Sequence, residues 1–224
     1  LSPIETADIV YSLSDYYKVE NVKIAGNVNA LTERRENEDG SFSIVNKYKA
    51  IVVAKPDSVF SEKDKFIIDQ FIMQGGRVLW LVEPVIASMD SLKTTDNTVG
   101  ITQDINLNDQ LFKYGVRLNS NLLLDLNALP IPMITGRTGN QPQFSFFPWY
   151  FFPVLTASSS HPVVNNLNAV RTEFISSIDT VGSPLIRKTS LLRTSDYTRI
   201  ALTPVMISLD LLRKDPDPKD YADP

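Results

Sequence analysis

Apolar positions between Lys49 and Pro84 fall into three blocks. Ala50 to Ala54 is a short continuous run, Ile67, Ile68, Phe71 and Ile72 recur at helical spacing, and Val78 to Val82 is a second continuous run. Continuous runs of this length read as strands covered on both faces, and the spaced block reads as a helix with one buried stripe. Ser61 stands before the helix as an N-cap with Asp64 three residues on, and Gly75-Gly76 supplies a left-handed stop. This order predicts a parallel strand pair with helix 62–74 packed across it.

The same pattern extends in both directions. Ser2 as a cap, Pro3 at the first helical position and Glu5 predict an opening helix, with Ile4, Ala7, Val10, Leu13 and Tyr17 as its buried stripe. Val22 to Ala25 reads as a strand ending at Gly26. The charged stretch ERRENEDG, with Asp39-Gly40 as a hairpin signal, feeds a strand over Phe42 to Val45. Beyond Pro84, a short helix is expected over Val85 to Leu92, a second from Asn108 or Asp109 to Tyr114 with Gly115 as its stop, and a buried strand over Leu122 to Leu126. Alternation of strands and helices to about residue 127 predicts a three-layer α/β fold with a parallel, Rossmann- or flavodoxin-like core.

From Ala128 the pattern changes. PIPMITGRTGNQPQ is punctuated by proline and glycine and reads as loop, and strands are expected over Arg171 to Ile178 and Ile200 to Leu212. One domain is therefore expected over 1–212, its parallel core at about 1–127 and an irregular, β-rich extension at about 128–212. Residues 213–224 read as a polar, frayed tail.

Composition narrows the chemistry. The 224 residues carry a net charge of −4 with scattered basic residues, which argues against a nucleic-acid partner. There is no cysteine, which removes thiol catalysis and disulfides, and the single histidine, His161, leaves no imidazole-rich metal site. No cofactor or metal is expected. No run is long and apolar enough to span a bilayer. The chain opens on Leu-Ser-Pro and closes on DPDPKDYADP, and is read as a soluble segment of a longer protein.

Three candidate groups remain. Asp57, Glu83 and Asp125 follow or end the core strands, where α/β folds place ligand and catalytic groups; they could form a carboxylate site, or cap turns and pair with nearby bases. Phe144 to Phe152 holds seven aromatics in nine positions and reads either as a stacking or docking platform, with Trp149 and Tyr150 partly exposed, or as a core seam. His161 lacks the G-x-S-x-G elbow of a serine hydrolase, and Ser176 to Asp179 reads as a turn. No G-x-x-x-x-G-K loop is present, so the chain carries no nucleotide-hydrolysing motif.

Several ordered blocks resemble the gliding-motility-associated ABC transporter auxiliary proteins of the GldG family. They are YKAIVVAKPDSVFSEKDKFIIDQFIMQGGRVLWLVEPVIASMDSL, LNDQLFKYGVRLNSNLLLDL, ALPIPMITGRTGNQPQFSFFPW, HPVVNNL and EFISSIDTV. The resemblance implies an extracytoplasmic domain at the periplasmic face of the cytoplasmic membrane, anchored through segments outside this chain. It also implies partners in a separate ATPase and a separate permease, with exported cargo or a glycan as a possible ligand. Through the family it implies a class I amidotransferase-like fold, in which Glu83-Pro84-Val85 stands where such enzymes carry their cysteine, so the member would be non-catalytic. The rival readings are a carbohydrate-binding module built on residues 144–152, and a carboxylate- or metal-dependent hydrolase.

Overall fold

The computed structural model describes residues 3–92, 95–158 and 160–222. The chain divides into two compact units, residues 1–82 with 104–110, and residues 83–103 with 111–224.

The first unit holds α1 (Pro3–Ser14), the hairpin β1 (Thr32–Glu36) and β2 (Phe42–Asn46), then β3 (Ala50–Ala54), α2 (Glu62–Met73) and β4 (Arg77–Leu81). As the run pattern predicts, β3 and β4 are parallel, Ile51 opposite Val78 and Val53 opposite Trp80, and α2 connects them. Ile67, Ile68 and Phe71 of α2 are buried with Ala30 and Leu31, and Ile51, Val78 and Trp80 pack against them from one face of the strand pair. Ser61 caps α2, its hydroxyl accepting from the Asp64 N–H at 3.1 Å. The stop is tight: Gly75 has φ +83°, and a Cβ on Gly76 would fall 2.3 Å from the Phe71 ring. Two expectations fail here. Residues 22–25 form no strand; Ala25 and Gly26 have positive φ, and Asn27 N–H turns back to the Ile24 carbonyl at 2.8 Å. The stripe of α1 is not buried: Ala7, Val10 and Tyr17 are exposed, and Leu13 is only partly buried. The cap expected at Ser2 lies outside the described residues.

The second unit begins with β5 (Val85–Ile86), α3 (Met89–Leu92) and β6 (Asn97–Thr102). The division between the units falls within α4 (Asn108–Lys113), and β7 (Val116–Leu118), β8 (Asn121–Asp125), β9 (Ala128–Thr138) and β10 (Gln141–Ala157) follow. The last strands are β11 (Val170–Arg171), β12 (Ile178–Thr180), β13 (Leu192–Arg193), β14 (Thr198–Leu202) and β15 (Val205–Ser208). All its pairings are antiparallel: β5–β6–β15, β7–β12, β8–β14, and β10 with β9, β11 and β13.

The fold is mixed α/β, but the Rossmann-like parallel core is not found; β3–β4 is the one parallel pair among the described strands. A parallel crossover needs a dozen or more residues, usually a helix. Only α2, with 12 residues, is followed by a parallel partner; α3 and α4 have 4 and 6. The helix expected over 85–92 is split into β5 and one turn of α3, because Pro84 and the apolar Val85-Ile86 pair favour an extended start. PIPMITGRTGNQPQ, expected as loop, forms most of β9 and the turn into β10, with Gly139 at φ +63°. The strand expected over 171–178 is reduced to its two ends, in β11 and β12.

The core of this unit surrounds β8, whose five residues are all buried. Phe151 and Phe152 of β10 meet Phe174 there, and Trp149 meets Phe151, with ring centroids 5.3–5.9 Å apart. The aromatic run is therefore a core seam at its C-terminal end, while Phe144 and Phe146 stay exposed toward the hairpin tip. The stretch read as a polar tail carries one apolar anchor: Tyr221 is buried and sits edge-on to Tyr150 at 5.9 Å.

Candidate functional site

In the first unit, a cleft of about 250 Å³ opens just past the C-terminal end of β3. Its walls are Ile24 and Ala25 on one side and Pro56 to Phe60 on the other, with Asp64 at its edge. The chain leaves β3 through Lys55, whose φ of +45° is rare for a residue with a side chain, while its N–H still pairs with the Leu81 carbonyl at 2.7 Å. Phe60 N–H is then held by the Ile105 carbonyl at 3.0 Å, which fixes the far end of the loop.

Helix N-termini attract anions, and the first turn of α2 already carries the carboxylates of Glu62 and Asp64. One Asp64 carboxylate oxygen accepts the Ser61 hydroxyl and the other accepts the Gly26 N–H, both at 2.8 Å. Asp57 lies in the cleft wall and accepts the Ser58 hydroxyl at 2.8 Å. A mainly apolar floor with carboxylates at its rim suits an apolar group carrying a hydrogen-bond donor, and offers nothing to a phosphate.

The other acidic candidates do not join Asp57. Glu83 opens the second unit and is half-buried. Asp125, 0 % exposed, is a clamp: it accepts from the N–H groups of Asn127 and Ser195, both at 2.7 Å, and from the hydroxyls of Ser195 and Thr198. Those bonds fasten the β8 end to the loop before β14 and leave the carboxylate no approach for a substrate. Among the described residues, no three His, Asp or Glu side chains gather to hold a metal ion. Trp149, expected to be partly exposed, is fully buried, so it offers no stacking face, and its indole Nε1 has no hydrogen-bond partner among the described residues. Tyr150 is half-buried, and desolvation raises its phenol above the ordinary value, with the Asp215 charge adding to the shift. His161 accepts from Val163 N–H at Nδ1 at 3.2 Å, a local turn.

Two features escaped the sequence reading. The first is Lys65, buried on α2, whose ammonium meets Glu62 at 2.8 Å, Asp109 at 2.9 Å and the Asn106 side-chain oxygen at 3.3 Å. Its position three residues before Ile68 on the helix was the available signal. The hydrogen bond to Glu62 raises the lysine above its ordinary value, against the desolvation that would lower it. The second is the outer face of β5–β6–β15. Val99 stands opposite Met206, and Ile101 opposite Ile86, all four about half exposed or more. The inner neighbours Val85, Val205 and Ile207 are buried, so both faces of this antiparallel sheet are apolar. A solvent face would ordinarily be polar, and clustered aliphatics on it mark a contact surface.

Over residues 1–224 the chain matches the family described as an ABC-type uncharacterized transport system, and it belongs to that family. Membership indicates an auxiliary component of an ABC-type transport system. No curated protein and no solved structure matches it.

Proposed function

We propose that this chain is a non-catalytic, extracytoplasmic binding part of its transport system, of the gliding-motility GldG type, held at the periplasmic face of the cytoplasmic membrane. The observation that carries the reading is the outward aliphatic face of Ile86, Val99, Ile101 and Met206, a surface made for another protein and not for water. The permease is its partner there, and the ATPase joins through the permease. The sequence blocks quoted above support the GldG assignment. The non-catalytic reading is supported by the fate of Asp125, which is spent on structure, while Asp57 accepts the hydroxyl of its neighbour Ser58.

The test is affinity capture of the tagged full-length protein from detergent-solubilised membranes. The ATPase and permease subunits should co-purify with wild type and be lost with Ile101→Asp or Met206→Asp, whose exposed positions leave folding intact. Failure of the wild-type protein to retain either subunit would remove this reading. Retention by both variants would move the contact to another surface.

A further inference from the structure

The hairpin of β9 and β10 has two unlike faces. Leu129, Ile131 and Met133 turn inward and pack in the core of the second unit, with Phe147 opposite Ile131. The alternate positions stand in three cross-strand pairs, Pro130 with Pro148, Pro132 with Phe146 and Ile134 with Phe144. All six side chains are exposed, Phe146 at 70 % and Phe144 at 52 %. Among the described strands, β9 pairs with β10 alone, and β11 and β13 join β10 only at residues 154–157. Both edges of the hairpin are therefore open at the exposed pairs.

Hydrogen bonding and charge say what this face meets. Facing pairs in an antiparallel ladder alternate between those that exchange hydrogen bonds and those whose amides point outward, and a proline, lacking its N–H, suits the second kind. Three of the six outward positions are proline, so half of the donors that an added strand would need are missing. What blunts the edge against another strand also lowers the cost of placing it where water is scarce. The chain carries 26 acidic residues, yet none lies between Asp125 and Glu173. Within the hairpin the one charged side chain is Arg137, exposed beside the turn. An acid-free aromatic face with an arginine at its end complements phosphate headgroups above acyl chains.

We propose that this face of the hairpin lies on a phospholipid bilayer, with Ile134, Phe144 and Phe146 entering the boundary between headgroups and acyl chains and Arg137 meeting a phosphate. The exposed pairs run about 13 Å along the strands, a patch that holds the chain at a surface weakly and reversibly. Ile131 and Met133 root the opposite face in the core, so the patch is presented without any refolding. This contact stands apart from the permease contact proposed above, which uses β5, β6 and β15.

The probe is a suspension of vesicles of phosphatidylethanolamine and phosphatidylglycerol, added to the 224-residue chain. Wild type should co-sediment with them. Phe144→Ser combined with Phe146→Ser should weaken binding by about tenfold or more, and Arg137→Gln by about fivefold. Leu185→Ser removes an apolar side chain that is 93 % exposed and lies outside the hairpin, and should bind as wild type does. The absence of native cysteine allows a second reading that does not depend on the double variant. An environment-sensitive dye attached at Phe146→Cys should shift to shorter wavelength on vesicles, and one attached at Leu185→Cys should not. Failure of wild type to co-sediment overturns the proposal, as do equal binding by the double variant and equal dye shifts at the two sites. Sedimentation velocity without lipid covers the rival occupant: a wild-type dimer that the double variant dissolves would assign the face to a second copy and overturn the lipid assignment.

Discussion

The two units solve the problem of burial differently. In the second, Leu122, Leu124, Trp149, Phe151, Phe152, Phe174 and Ile207 enclose one another, and the polar side chains at the two ends of β8 are engaged. Asn121 at one end of β8 exchanges hydrogen bonds with Ser177 at 2.9 Å, donating from its amide to the hydroxyl and accepting the N–H, while Asp125 holds the other end. In the first unit, the core is a single layer between α2 and one face of β3–β4, and its charged group, Lys65, reaches partners that stay in water: Glu62 is 78 % and Asp109 55 % exposed at the side chain. A deep core tolerates a carboxylate only when its oxygens are well supplied with donors. A shallow one can leave its ion pairs half solvated, and each is then worth less. The second unit should therefore be the more sensitive of the two to a change at a buried position.

The largest effect expected is at Trp149. Trp149→Ala removes the biggest fully buried side chain and should destabilise the second unit by about 3–5 kcal/mol. The two tryptophans fall one to each unit, so Trp80→Phe leaves Trp149 as the reporter of the second, and Trp149→Phe leaves Trp80 as the reporter of the first. Urea unfolding of the two single-tryptophan proteins should show the Trp80 transition at lower denaturant than the Trp149 transition. Coincident midpoints would break the contrast, because the two units would then unfold as one.

Asp125→Asn comes next, at about 2–4 kcal/mol. The side chain keeps its shape, but an NH₂ now faces donors: the N–H groups of Asn127 and Ser195 and the hydroxyls beside them. Ser195→Ala removes one donor and leaves the carboxylate bonded to backbone, so its loss should stay near 1 kcal/mol. The ratio of the two, measured by chemical denaturation, tells whether the clamp depends on charge or on one hydroxyl.

How much of this was legible follows from what each signal encodes. The α2 region was readable in detail because Ser61, Asp64, the stripe from Ile67 to Ile72 and Gly75-Gly76 are local, and local hydrogen bonding and sterics decide them. The partners of β8 were not, since a run such as Leu122 to Leu124 states that both faces are covered and is silent on the direction of the neighbouring strand. The fate of Asp125 depended on Ser195 and Thr198, about seventy residues later in the chain. The aromatic run was legible as core material but not residue by residue, because its strand alternates and then bulges between Pro148 and Pro153, and the pairing register decides which rings turn inward.

At Gly76 the first unit can be tested where its thin core is tightest. Gly76→Ala places a methyl against the Phe71 ring, whose nearest atoms would lie 2.3–2.5 Å away, and Phe71 is fully buried among Ile67, Ile68 and Leu31. The ring must turn or the β4 entry must shift, at a cost of about 1–3 kcal/mol. Gly75→Ala meets nothing within 4 Å but sits at φ +83°, so its loss is conformational and should be about 1 kcal/mol. Comparison by thermal melting of the Trp80 signal separates packing from backbone strain in adjacent residues.

The smallest effect is expected at Glu62, and pH is the way to see it. Its carboxyl is held below the ordinary value of 4.5, chiefly by the hydrogen bond from Lys65 and then by that from Asn106. A lowered folded value means that the stabilisation is complete above the ordinary value and fades as pH falls through the folded one. Lys65 runs the opposite way: raised above 10.5, it contributes fully below that pH and loses its contribution as pH climbs past the raised value. The pair should therefore be indifferent to pH across neutrality and fail at both extremes. Because Glu62 is mostly in water, Glu62→Gln should lower the melting temperature only slightly at about pH 7, and the gap from wild type should narrow as pH falls below the ordinary value of 4.5 and close once the wild-type carboxyl is protonated too. Salt should shrink the neutral-pH gap as well, since the pair is screened at its exposed side. A gap that persists unchanged in acid would mean that Glu62 holds Lys65 and Asn106 by hydrogen bonding alone, and the first unit's clamp would then resemble that of the second more than its exposure suggests.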